Sequence, residues 1–195
     1  MAYNPRIHHR CSIRLKGYDY TQPGKYFVTI CVAKREHLLG YIQNGEMHLN
    51  LYGEAVKTNW HNLAKIYSHV ELDAFVIMPN HIHAIIVLKQ LTTEFLDTPK
   101  TTRQGLPEIV RGLKTFSATK INQLRNVKGI AVWQRGYYEH IIRNEISLTK
   151  IRQYIVNNPV MWHTNDLHKS VNLKLPKQFN TCIDSENNIS MNLHS

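Results

Sequence analysis

Along the chain the apolar positions switch between a period of two and a period near 3.6, and the switches mark out the elements. Tyr26-Phe27-Val28-Thr29-Ile30-Cys31-Val32 is β-branched and aromatic, as expected of a central strand. Residues 38–49 are more polar and carry Asn44-Gly45, the preferred pair for a tight hairpin turn, so a short ribbon is expected. Over residues 54–67 the period lengthens: Val56, Trp60, Leu63 and Ile66/Tyr67 recur at helical spacing. Residues 70–88 hold two apolar runs broken by Met78-Pro79-Asn80. Proline lacks a ladder donor and Pro-Asn suits a tight turn, so the runs form a hairpin whose second strand opens at His81.

Residues 107–128 read as a helix. Ile109, Leu113, Phe116, Ile121 and Leu124 make its apolar side, and Arg111, Lys114 and Arg125 lie on the other. Lys120 falls on the apolar side, which this stripe does not explain. Residues 131–142 read as a strand broken at Gly136. Residues 147–158 form a last helix with a Leu148/Ile151/Ile155 stripe, Ser147 as N-cap and Pro159 as its stop. The first six elements outside the ribbon run βαββαβ, the ferredoxin-like split unit: an α+β fold with an antiparallel sheet and helices on one face, followed by a C-terminal helix. Residues 26–32 and 81–88 are then the two central strands. Residues 1–22 form a basic N-terminal segment, 23–163 the folded domain, and 164–195 a polar, Asn- and Ser-rich tail expected to be loose; the Thr-rich stretch 89–105 is expected as a loop or disordered insert.

Composition narrows the partner. Twenty-four Lys and Arg against fourteen Asp and Glu leave a formal charge of +10, which favours a polyanion, most simply nucleic acid. The longest apolar run, residues 84–88, is far too short to span a bilayer, so a cytoplasmic protein with no membrane partner is expected. Cys11, Cys31 and Cys182 are odd in number and far apart, and form neither a disulfide framework nor a thiolate zinc pattern.

His81-Ile82-His83 carries the candidate chemistry. Strand side chains alternate faces and rise roughly 6.5 Å over two residues, so both imidazoles leave the sheet on one side and can converge on a metal ion while Ile82 faces the opposite layer. Twelve histidines would give such a pair about 0.7 times by composition alone, so the pattern needs company. Tyr154 and Asn158, four residues apart, lie one helical turn from each other on the flank of the last apolar stripe. A tyrosine there is ordinarily core filler with its hydroxyl at the edge.

The run Met78-Pro79-Asn80-His81-Ile82-His83, the segment Trp133-Gln134-Arg135-Gly136-Tyr137-Tyr138-Glu139-His140-Ile141-Ile142-Arg143-Asn144 and the terminal Tyr154-Ile155-Val156-Asn157-Asn158-Pro159 occur in this order. Together, over roughly residues 14–162, they resemble the single-tyrosine HUH transposases, and among them the branch called REP-associated tyrosine transposases. The resemblance implies an enzyme that nicks and rejoins single-stranded or hairpin DNA. It implies His81, His83 and Asn158 as ligands of a divalent metal, Mg²⁺ or Mn²⁺, and Tyr154 as the nucleophile that forms a 5′-phosphotyrosine and frees a 3′-OH. Imidazole ligands suit Mn²⁺ better than Mg²⁺, and zinc lacks a nameable fourth protein donor. Relatives include monomers and homodimers, and both remain open here. Arg111, Lys114, Arg125 and Arg143 are candidate phosphate contacts, with a merely solvated basic face as the alternative. Tyr137 and Tyr138 point to opposite faces, so at most one meets the metal; packing or base stacking is expected of them. His140 is either a neighbour of the active site or structural. Two other functions compete: a ferredoxin-like nucleic-acid binder with a vestigial site, and a phosphodiesterase that uses water.

Overall fold

The computed structural model describes residues 14–15, 17–90 and 104–162. The C-terminal tail, most of the Thr-rich stretch and most of the basic N-terminal segment lie outside the described residues. In chain order come β1 (Gly24–Cys31), a short 3₁₀ turn (Ala33–Arg35), β2 (Gly40–Gln43), β3 (Glu46–Leu49), α1 (Leu51–Ile66), β4 (Val70–Met78), β5 (His81–Leu88), α2 (Leu106–Leu124), β6 (Tyr138–Ile142) and α3 (Glu145–Asn157).

Four strands form an antiparallel sheet in the order β4-β5-β1-β6. With the ribbon β2-β3 set aside, this is the ferredoxin-like βαββαβ arrangement, with β1 and β5 central as expected. The ribbon turns at Asn44 and Gly45, both at positive φ (53° and 77°), the conformation that an Asn-Gly hairpin turn requires. Met78 pairs with His81 across the two-residue turn Pro79-Asn80, so β5 begins on its first histidine.

Alternation then sorts the side chains. Val28, Ile30, Ile82, Ala84 and Ile86 face α1 and α2 and form the larger core with Trp60, Leu63, Ile109 and Leu113. Phe27, Ile85 and Ile142 face the other way and meet Leu148, Ile151 and Ile155 of α3. The expected pair of helices on one face is therefore α1 and α2, while α3 packs alone on the other.

Several boundaries differ from the sequence reading. Helix α1 starts earlier, at Leu51, because the Asn50 side chain accepts hydrogen bonds from Tyr52 N and Gly53 N. Helix α3 is capped by Asn144, which accepts from Ser147 N; Ser147 itself is a buried residue inside the first turn. The last strand covers only Tyr138–Ile142, and Trp133 contributes an isolated bridge to Val32. Gly136, at φ 78°, breaks the ladder between them.

The buried face of α2 is Leu106, Ile109, Val110, Leu113, Ser117 and Ile121, where Ser117 accepts a hydrogen bond from the indole of Trp133. Phe116 and Leu124 are exposed. Lys120 lies on that same exposed flank, four residues from each, so its place in the expected stripe is resolved: the stripe is centred one position away.

Arg152 of α3 makes a two-pronged ion pair with Asp73 of β4, at 2.9 and 2.6 Å, and holds the Asp73 carboxyl below the usual range. Apolar packing does the rest. Replacement of the fully buried Ile151 by alanine is expected to lower stability by about 2–5 kcal/mol. Urea denaturation checks this, with the midpoint falling and the slope unchanged.

Candidate active site

The site lies where the start of β5, the middle of β1 and the last turns of α3 meet. His81 and His83 project from β5 toward α3, and Ile82 points into the opposite core. Both imidazoles are enclosed, at 0 and 1 % exposure. Burial keeps them neutral: it pushes His83 down to about 3 and His81 well below its ordinary value, with the charge of Arg35 adding to both shifts.

Each ring is oriented by a neighbour. The Nδ1 of His81 lies 2.6 Å from Asn80 Oδ1, which as an acceptor fixes the proton on Nδ1 and leaves Nε2 with its lone pair. The Nδ1 of His83 lies 2.7 Å from the hydroxyl of Thr29, its cross-strand partner on β1. Phe27, two residues before Thr29 on the same face, stacks on the His83 ring at 5.4 Å. The two Nε2 atoms face each other at 3.1 Å. His81 holds its proton on Nδ1, so its Nε2 lone pair faces His83 Nε2, and the two inner nitrogens are close enough to share one cation.

Helix α3 brings the other two residues. The Tyr154 hydroxyl lies 3.3 Å from His83 Nε2, and its ring stands edge-on to Phe27. Burial raises its proton affinity and the Asn158 side chain partly offsets this, so the phenol is protonated at neutral pH. Asn158, the C-cap, is 1 % exposed and close enough to influence both His81 and Tyr154. Neither its Oδ1 nor its Nδ2 has a hydrogen-bond partner of good geometry. A buried carboxamide oxygen left unpaired is costly unless another group takes it up, and beside two converging imidazoles it suits a metal ligand. Among the described residues no three His, Cys, Asp or Glu side chains gather, so the candidate donor set needs the amide.

Trp162, just beyond α3, stacks on His81 at 6.1 Å and meets His37 edge-on at 5.5 Å. The two imidazoles are thus enclosed, with an aromatic ring over His81.

The remaining candidates are more scattered. Tyr138 and His140 share the α3 face of β6, opposite Thr29 and Phe27 respectively, whereas Tyr137 packs against the other core and carries the guanidinium of Arg14 over its ring. His140 is half-buried, and burial lowers its proton affinity. Arg143 is exposed just past β6, at the opposite end of that strand from Tyr138. Arg111 and Arg125 sit on or beside α2, across the sheet from Tyr154, and Arg125 lies over the ring of Tyr52 at 5.2 Å. Lys114 donates to the carbonyls of Gln134 and Gly136, both at 2.8 Å, and so ties down the loop before β6. Sequence reasoning did not single out Thr29, Arg35 or Trp162, and took Asn80 only as a turn residue. Asn80 adjoins His81 in the motif and was findable; Thr29 needed the strand register.

The family model of IS200-like transposases matches residues 24–158. The chain belongs to that family and is a transposase by class. It is 42% identical over 176 residues to an uncharacterised protein of Haemophilus influenzae, covering 85% of this chain and 97% of that one. It is 29% identical over 174 residues to a protein of the same organism named as a REP-associated tyrosine transposase, covering 80% of this chain and 87% of that one. A solved structure of a REP-associated tyrosine transposase bound to a REP hairpin shares the fold, with TM-score 0.53, 21% identity, and coverage of 76% of this chain and 74% of that one. No helix among the described residues is long and apolar enough to cross a membrane.

The role of Lys114 can be read from stability. Lys114→Met leaves two carbonyls without their donor and is expected to cost about 1–3 kcal/mol. Chemical denaturation measures this, and an unchanged midpoint would return Lys114 to the solvated basic face.

Proposed function

We propose that this transposase nicks and rejoins single-stranded DNA by attack of Tyr154 on a phosphodiester held beside His81, His83 and Asn158. The observation that carries the reading is the approach of the Tyr154 hydroxyl to His83 Nε2, next to the unpaired amide of Asn158. The structural neighbour's REP hairpin supports hairpin-bearing single strands as the substrate class.

His81 and His83 through Nε2, and Asn158 through Oδ1, would hold a divalent cation, Mg²⁺ or Mn²⁺. When bound, that ion would draw electron density from the phosphate oxygens and offset the charge that builds during attack. All three donors are neutral, so the site leaves the cation's charge undiminished. Thr29 and Asn80 keep the rings aimed, and enclosure of the pocket strengthens each electrostatic contact made inside it.

Tyr154 supplies the covalent step. Its oxygen bonds to phosphorus as the bond from phosphorus to the 3′-oxygen breaks. The phenolic proton passes to solvent, and the departing oxygen takes up a proton as a free 3′-OH. The 5′ end stays on Tyr154 as a phosphotyrosine, so the bond's energy is kept. A 3′-OH from another end can reverse the step and join strands without ATP.

Labelled single strands that carry hairpins from the DNA flanking the gene, with Mn²⁺, test this. Wild-type protein is expected to form a covalent adduct that survives denaturation, and Tyr154→Phe to lose it by about a thousandfold or more. Adduct that persists in the variant contradicts the assignment of Tyr154. Cleavage that persists without adduct marks a phosphodiesterase using water, and hairpin binding with neither cleavage nor adduct in the wild type marks a vestigial binder.

A further inference from the structure

Arg35 carries a charge that the described structure does not answer. Its Nε, Nη1 and Nη2 are all closed to solvent, none has a hydrogen-bond partner, and among the described residues no carboxylate pairs with it. A buried cation of this kind is strongly unfavourable unless a counter-charge arrives. Its backbone is strained as well. Lys34 and Arg35 both lie in the left-handed region, at φ 54° and 60°, which side chains bearing a Cβ rarely adopt and which concentrates at functional sites.

The turn that carries Arg35 is fastened against the start of the ligand strand. Val32 N donates to Asn80 O at 2.9 Å, and Leu39 N donates to Pro79 O at 3.0 Å. The guanidinium acts electrostatically on His81, His83 and Cys31, the last being the cross-strand partner of His81. Nδ2 of Asn80 and Nδ2 of Asn158 are two further buried donors without partners. Among the described residues, the neighbourhood of the two histidines thus holds a cation with no paired carboxylate and spare N–H groups. His37, two residues past Arg35, meets Trp162, which stacks on His81, so the turn lies beside the aromatic cover of the histidines.

We propose that Arg35 binds the non-bridging oxygens of the phosphodiester brought to His81, His83 and Asn158, as an anion-positioning residue separate from the metal ligands and the nucleophile. A guanidinium fork matches two phosphate oxygens, and its charge does not titrate away. The proposal rests on the reading of this site as a phosphodiester-processing centre, and its test is independent of covalent chemistry.

The probe is the dinucleotide dTpdT, titrated into the full-length protein with Mn²⁺, beside its methylphosphonate analogue, which has the same shape without the charge. In wild-type protein the Arg35 Nε–H signal in ¹⁵N NMR is expected to move with dTpdT and not with the analogue. Arg35→Met is expected to weaken dTpdT binding by about tenfold or more and to abolish the preference over the analogue, with Mn²⁺ affinity not weakened. Arg35→Lys, which keeps the charge and loses the fork, should recover only part of the binding. An Arg35 signal indifferent to dTpdT in the wild type overturns the proposal whether or not the variants fold. So does an Arg35→Met protein that keeps its full preference for the charged probe. Arg35-dependent binding in a protein that forms no Tyr154 adduct would sink the nucleophile assignment and leave the phosphate site standing.

Discussion

The packing of α3 on one face of the sheet is what turns separate residues into a site. Leu148, Ile151 and Ile155 lock against Phe27, Ile85 and Ile142, and that register decides where the end of the helix lies. Tyr154 and Asn158 flank the same apolar stripe one turn apart, so the packing that buries the stripe also sets the phenol over His83 and the amide beside His81. The strand contributes its own constraint, since two residues of β5 place both imidazoles on the α3 side and send Ile82 to the other core. The Arg152–Asp73 pair fastens the helix to β4 from its exposed side.

Within that frame the polar groups are arranged by what they lack. The imidazoles are neutral because they are buried, and their outer nitrogens are held by Asn80 and Thr29, which leaves the inner ones facing each other. Among the described residues the Asn158 amide makes no hydrogen bond of good geometry, and the Arg35 guanidinium makes none. In a folded core each of these would be a defect. Together they bear on the proposed phosphodiester site, where a cation would meet the imidazoles and an anion the guanidinium.

Much of this was legible in the sequence because it depends on short-range rules. Alternation fixed the face shared by His81 and His83, the Pro79-Asn80 turn fixed where β5 starts, and helical spacing placed Tyr154 with Asn158. The Asn44-Gly45 ribbon followed from turn chemistry alone. The misjudged points depend on tertiary contact. The stripe of α2 is displaced by one position because Ser117, polar in isolation, is buried against the indole of Trp133. The first turn of α3 is capped by Asn144 because its backbone is extended there and its side chain reaches Ser147 N. Lys114, a candidate phosphate contact, also donates to two carbonyls of a loop twenty residues later, a contact that no local pattern shows. Thr29 and Arg35 were invisible as site residues, since nothing local links a strand threonine or a turn arginine to histidines some fifty residues away; only the β1–β5 register does.

The claim that most depends on this geometry is that one chain gathers His81, His83 and Asn158 around a single divalent ion. Crystals of the full-length protein grown with Mn²⁺ and measured at the manganese edge address it directly. We expect one anomalous peak between the Nε2 atoms of His81 and His83 and the carboxamide oxygen of Asn158. A peak elsewhere, or well-ordered imidazoles with no peak between them at saturating Mn²⁺, would contradict it.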